Sequence, residues 1–185
     1  MKRINIEENV ENLIIDLITK SSEDRLIAFK PQEATKSVDL VVKKRGEYNL
    51  PATIKKTKGS SKIGRTFQNL PKNKSRELSF QINIFIGPSK TNIISKDFLK
   101  ESFITSKDFY LMFIYFDEVK QDVSNIWLIP SFAFLEIAEK KELKDNKIIL
   151  RFETTVYLKN EDKYAKFLIN KEELGNFLLE IIMNK

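Results

Sequence analysis

Residues 109–116 read FYLMFIYF, an uninterrupted apolar run of eight residues. A run of this length, apolar on both alternating faces, is typical of a strand at the centre of a sheet that is covered on both sides. The run therefore predicts a central strand of a sheet. With the helices and strands predicted for the rest of the chain, the expected fold is α/β, with a mixed central β-sheet flanked by helices.

Helical and strand patterns are found before this run. Apolar residues spaced at i, i+4 and i+7 predict a helix over residues 6–19. A short turn at Gly46 indicates that two of the predicted strands form a hairpin, residues 38–44 with residues 50–57. The predicted strands of this part are residues 25–30, 38–44, 50–57 and 79–86.

The C-terminal third predicts helices that alternate with strands. Residues 147–158 and 164–169 are expected to pair as a hairpin around a polar turn. Ser131 is the expected N-cap of one helix, and Asn170 with Glu173 resembles a capping box. The expected elements are a short helix at 95–103, a strand at 125–129, a helix from 131 to about 140 and a last helix from 170 to about 183. A chain of 185 residues suits a single domain, residues 1–185.

The composition excludes several classes of site. The chain has neither Cys nor His. Zinc sites built from these residues, Ser-His-Asp triads and Cys-His dyads are therefore excluded. A metal site would depend on carboxylates, which favours Mg²⁺, Mn²⁺ or Ca²⁺. No apolar run approaches the roughly 20 residues of a membrane span, and no signal peptide is recognisable, so a cytoplasmic protein without a membrane partner is expected.

Positive charge is concentrated in one segment. Residues 55–76 contain eight basic residues and no acidic ones, whereas the whole chain carries a net charge of +6. The remainder of the chain therefore has a net charge of −2. Such a local field indicates a polyanionic partner. Residues 58–77 also lack a helical period, and they are predicted to form a long loop.

Polar residues interrupt two neighbouring predicted strands. Residues 37–42 read SVDLVV, and residues 53–55 read TIK. Thr53 and Lys55 lie on the same face of their strand, and Asp39 is expected to approach them across the hairpin.

This arrangement resembles the PD-(D/E)xK nuclease superfamily, in its restriction-endonuclease-like, uncharacterised prokaryotic branch. In that superfamily an Asp precedes a short turn, and the next strand carries a (D/E/Q)-x-Lys motif. The order of a helix and a three-stranded meander matches residues 6–57. The later stretches at 108–116 and 126–131 also look like restriction-type members. The resemblance covers residues 5–140, and a hairpin plus helix at 147–184 would extend this core.

The resemblance implies roles for particular residues. Asp39 and Glu11 would be the metal ligands for Mg²⁺ or Mn²⁺, and Lys55 would orient the attacking water. Glu7 is a second candidate for the helix carboxylate. Thr53 departs from the pattern, because it stands where an acid or Gln is expected and a hydroxyl is a poor metal ligand. Another acid, such as Glu47, would then have to complete the site.

The resemblance also implies a nucleic acid partner, with DNA as the expected form. The expected phosphate contacts are Lys56, Lys58, Lys62, Arg65, Lys72, Lys74 and Arg76. Phe67 in the same loop is a candidate for stacking on a base or for anchoring the loop in the core.

Three hypotheses on function remain open. The first is a metal-dependent DNA nuclease of a defence or mobile-element system. The second is a nuclease fold that has lost catalysis and binds nucleic acid or a protein, and the Thr53 departure favours it. The third is a structural or assembly protein, which a homodimer through the C-terminal hairpin and helix would support.

Overall fold

The computed structural model describes residues 3–31, 38–46, 77–87, 92–143, 145–157 and 161–184. Within these ranges there are three α-helices and nine strands. The helices are α1 (Arg3–Ser21), α2 (Ser131–Ile137) and α3 (Leu174–Met183). The strands are β1 (Leu26–Phe29), β2 (Leu40–Lys44), β3 (Glu77–Gly87), β4 (Ile93–Leu99), β5 (Phe109–Asp117), β6 (Asp122–Pro130), β7 (Glu139–Glu142), β8 (Ile148–Thr155) and β9 (Leu168–Ile169).

The central sheet has six strands in the order β1-β2-β3-β5-β6-β9. The first three strands form an antiparallel meander, and β5 then pairs in parallel with β3 and antiparallel with β6. Residues 109–116 are buried on both faces of β5. The prediction of a mixed sheet with this run at its centre is therefore confirmed.

Helix α1 confirms the helix predicted over residues 6–19. Val10, Ile14 and Ile18 are at most 1% exposed, so the apolar face read from the sequence is the buried one. This face packs with α3 on one side of the central sheet, where it forms the first of two hydrophobic clusters. Asn170 accepts a hydrogen bond from Glu172 N (3.2 Å) and so caps the turn that leads into α3, as the sequence predicts.

The opposite side of the central sheet is covered by a second sheet of three strands, in the order β4-β8-β7, and by α2. Aromatic rings fill this second cluster, and the rings of Phe113 and Phe152 stack with centroids 3.8 Å apart. The chain is thus an α/β protein with a mixed six-stranded sheet and a smaller second sheet. No helix in the described ranges is both long enough and apolar enough to span a bilayer.

The predicted hairpin between residues 38–44 and 50–57 is wrong over the middle of β2. Val41 and Val42 pair with β1 on one edge and with β3 on the other. Both edges are therefore occupied there, and the third strand of the meander is β3. The sequence favoured residues 50–57 because strands joined by a short turn usually pair, but here a longer connection returns to the same edge.

The helix predicted at 95–103 is also wrong, because this stretch forms β4 and a 3₁₀ turn at Lys100–Ser102. Ile94 and Phe98 are the buried residues of β4. A spacing of four fits one face of a helix as well as one face of a strand, so periodicity alone did not distinguish the two.

Two further C-terminal predictions are corrected. Residues 147–158 and 164–169 do not pair: β8 pairs with β4 and β7, whereas β9 pairs with β6 in the other sheet. Helix α2 ends at Ile137, because Ala138 has extended backbone and strand β7 follows. Ser131 is not an N-cap, since its hydroxyl donates to Ser106 O and accepts from Ser106 N.

Candidate functional site

The Asp39 carboxylate lies at the end of the central sheet where β2 begins. Asp39 N donates to Phe80 O (2.8 Å), and Asp39 Oδ2 accepts from Ile82 N (2.7 Å). Leu40, the first residue of β2, pairs with Phe80. The Asp39 side chain therefore bonds to β3 at Ile82, two residues beyond the last pair between the two strands. One backbone hydrogen bond and one hydrogen bond to the carboxylate thus hold Asp39 in a defined position, which a ligand-binding group requires.

Glu11 approaches the same region from α1. It follows Val10, which is 1% exposed and packs against the sheet, so Glu11 lies at the margin of the buried face. Its Oε2 is 2.6 Å from Nζ of Lys30, which directly follows β1. Neither side chain of this ion pair is fully exposed (27% for Glu11 and 40% for Lys30).

The electrostatic environment connects Asp39 with Glu11. Loss of hydration raises the pKa of Asp39 above its ordinary value, the hydrogen bond from Ile82 lowers it, and the negative charge of Glu11 raises it further. Water nevertheless reaches Asp39, which belongs to the exposed residues. The surrounding protein thus removes part of the hydration shell and leaves the carboxylate open to a ligand.

These groups suit a small hard cation. Asp39 and Glu11 offer carboxylate oxygens, which Mg²⁺ and Mn²⁺ prefer, and Mg²⁺ commonly binds through only one or two carboxylates while keeping several waters. Within the described ranges, no cluster of three or more acidic residues could hold a metal. A cation here would therefore depend on two carboxylates, one of which is already paired with Lys30.

The other predicted members of the site lie outside the described residues. These are Thr53, Lys55 and Glu47, and their assignment stays a prediction. The same is true of the predicted phosphate contacts Lys56, Lys58, Lys62, Arg65, Lys72, Lys74 and Arg76. Glu7 is exposed on α1, one turn before Glu11.

Two further residues of this region were not identified from the sequence, one that contacts Glu11 and one on the strand beside Asp39. Lys30 is one, and its ion pair with Glu11 gives no signal in the sequence because 19 residues separate the two. Gln81 is the other: it lies on β3 between Phe80 and Ile82, the two residues that bond to Asp39. Residues 79–86 were recognised as a strand, so correct pairing of that strand with β2 would have placed Gln81 opposite Asp39.

Comparisons with known proteins add no relative. The chain matches no protein-family model, and comparisons with curated proteins and with solved structures found no match. The function is therefore inferred from the environment of Asp39, Glu11 and their neighbours.

Proposed function

We propose that this chain is a metal-dependent nuclease of the PD-(D/E)xK type, with a restriction-endonuclease-like core. The observation that carries the proposal is the exposed Asp39 carboxylate, which Ile82 N–H holds directly before β2 and whose pKa the negative charge of Glu11 on α1 raises. The order of α1, an antiparallel meander and then a parallel strand supports it as well. Asp39 directly precedes β2, the middle strand of the meander. β2 pairs with β3, which in turn pairs with the central strand β5.

The proposed mechanism assigns a task to each residue. Asp39 and Glu11 would hold Mg²⁺ or Mn²⁺, which supplies Lewis-acid stabilisation of the charge that develops on a phosphodiester. Ile82 N–H keeps the Asp39 carboxylate oriented. Lys30 neutralises Glu11 and offers an ammonium to an incoming phosphate. Gln81 follows Phe80, the partner of Leu40, but the residue two positions further along β3 is Asn83 and not Lys. Lys55 therefore remains the proposed water-orienting residue.

Cleavage assays test this proposal directly. Supercoiled plasmid, linear duplex, single-stranded DNA and RNA are each incubated with Mg²⁺ or Mn²⁺. Asp39→Asn keeps an oxygen for Ile82 N–H but removes the charge, so we expect a loss of activity of at least about a hundredfold, as a metal contributes several kcal/mol. Glu11→Gln should also reduce cleavage, whereas Glu8→Gln, an exposed acid on the same helix, should not.

Two results contradict the proposal. One is a folded wild-type protein that cleaves none of these substrates with either metal. The other is cleavage that Asp39→Asn leaves intact.

A second candidate function is nucleic acid binding by a nuclease fold without catalysis. The ion pair between Lys30 and Glu11 favours it, because a metal ion would have to compete with the ammonium for one of its two carboxylates. Binding to duplex DNA should then weaken steeply with salt, and neutralising the lysines of residues 58–76 should reduce both the affinity and its salt dependence. Affinity that is equal at low and high salt counts against this function.

A further inference from the structure

Strand β3 is longer than its neighbour β2, and its outer edge is therefore only partly paired. β2 pairs with residues 77–80, whereas β3 continues to Gly87 and pairs with β5 as far as that residue. Asp39 bonds to Ile82 N and so marks the point where the paired part of the edge ends. Residues 83–87 extend beyond it.

The backbone groups of Ile84 and Ile86 point towards this open edge. Ser79 N donates to Asp108 O on the side of β5, and Ile82 N donates to Asp39 on the side of β2. Successive residues of a strand direct their backbone groups to opposite edges. In the part of the chain that the structure describes, no group bonds to Ile84 N or Ile86 N. Among the described residues, these two peptide groups therefore have no partner on the outer edge of β3.

A cavity of about 310 Å³ lies at this edge. Glu7 of α1 borders it, and so does the first part of β4, including Ile94. Between them lie Ile84 and Ile86, with Tyr115 of β5. The open edge therefore lies in a groove between the helical layer and the second sheet, and it continues the line of β2.

We propose that this groove binds an extended peptide of a partner protein, which adds to β3 as a further strand in line with β2. The backbone groups of Ile84 and Ile86 match the repeat of an extended chain, roughly 6.8 Å for every two residues. The side chains of Ile93 and Ile94 border the groove and accommodate an apolar side chain, and exposed Glu7 favours a basic one at the rim.

Other occupants fit the groove less well. A second copy of this chain would have to bring its own layers against α1 and β4, whereas a single extended segment avoids that clash. Nucleic acid has no peptide backbone to pair with the strand edge, and it would place phosphates beside the Glu7 carboxylate, which repels them. The inference does not depend on nuclease activity, because the groove uses backbone groups of β3 and not the Asp39 carboxylate.

The first test is residue-resolved amide hydrogen exchange on the protein alone. Asn83 N and Phe85 N face β5, whereas Ile84 N and Ile86 N face the groove, so exchange should alternate along the strand. We expect Ile84 and Ile86 to exchange at least about tenfold faster than their neighbours. Equal protection of all four amides overturns the proposal, since the edge would already be covered by this chain or by a second copy.

The second test uses a capped seven-residue peptide that alternates valine with lysine. Its binding should protect the amides of Ile84 and Ile86. N-methylation of the backbone nitrogens that face β3 should weaken binding about tenfold, because two hydrogen bonds are lost. Glu7→Lys should weaken binding about two- to fivefold, whereas Glu8→Lys on the same helix should have no effect.

Three outcomes of the second test overturn the proposal. They are no binding at millimolar peptide, equal binding of the N-methylated peptide, and protection of Ile84 and Ile86 by duplex DNA in place of the peptide.

Discussion

Nζ of Lys30 lies 2.6 Å from Oε2 of Glu11, and this ion pair joins the residue after β1 to α1. The negative charge of Glu11 raises the pKa of Asp39. In the proposed site, a cation held by both carboxylates would compete with the Lys30 ammonium for Glu11. Lys30 would therefore influence how the site binds a metal.

Replacement of Lys30 by Met should increase the affinity for Mn²⁺. The substitution removes the ammonium that competes for Glu11 and keeps much of the apolar stem. We expect a gain of about two- to fivefold, because a partly exposed ion pair contributes less than about 1 kcal/mol. Titration calorimetry or water-proton relaxation measures the affinity. Lys20→Met, an exposed substitution in the last turn of α1, is the matched control. Weaker binding by Lys30→Met would show that Lys30 positions Glu11 instead.

Asp39 should make stability fall as the pH rises above the ordinary aspartate pKa of 3.8. Its pKa is raised in the folded state, so the folded protein binds this proton more tightly than the unfolded chain. The contribution of Asp39 to the free energy of unfolding is fully present at low pH, and it is lost as the pH rises through the pKa of Asp39 in the folded state. Asp39→Asn should therefore be more stable than wild type at pH 7, by less than about 1 kcal/mol because solvent screens an accessible group.

Denaturant unfolding between pH 3 and pH 8 measures this difference. The gap between Asp39→Asn and wild type should close as the pH falls towards 3.8. A saturating divalent metal should reduce the gap at neutral pH, because it binds and stabilises the ionised carboxylate. If the difference in the free energy of unfolding does not change with pH, Asp39→Asn acts on stability through something other than the lost charge.

Much of the fold follows from local pattern. The run at residues 109–116 has no polar position, so only a strand covered on both faces buries it, and β5 is that strand. The spacing of Val10, Ile14 and Ile18 likewise specifies which face of α1 is buried. Such predictions succeed because hydrophobic burial acts on each element separately.

Pairing between distant strands was less predictable. β8 pairs with β4 although at least 50 residues separate the partners, and nothing in either stretch identifies the other. In the candidate site, Asp39 could be found because a carboxylate interrupts a β-rich stretch. Lys30 and Gln81 could not, because each is an ordinary surface residue type that gains its significance only from its neighbours in the folded chain.

Gly175 should be essential to the packing of α3 on α1. A Cβ at this position would lie 2.3 Å from Ile18 O and 2.6 Å from Ser22 N, which are backbone atoms that cannot rotate away. Gly175→Ala should therefore destabilise the protein by about 1–3 kcal/mol, although Ala favours helices intrinsically. Glu180→Ala, an exposed site on the same helix, should stay within about 0.5 kcal/mol of wild type. Thermal unfolding compares the two, and an equal or higher melting temperature for Gly175→Ala would contradict this packing.

The buried side chain of Asn83 should lower the free energy of unfolding. Its side chain is 7% exposed on β3, opposite Phe113 of β5, and in the described part of the chain Asn83 Nδ2 has no hydrogen-bond partner. An unpaired buried amide costs about 1–3 kcal/mol, and Val is similar in size and favours strands. Asn83→Val should thus raise the free energy of unfolding by about 1 kcal/mol. Asn125→Val, which removes a bond from Asn125 Nδ2 to Val156 O (3.4 Å), should not. If Asn83→Val is instead destabilising, the amide has an acceptor that the described residues do not supply.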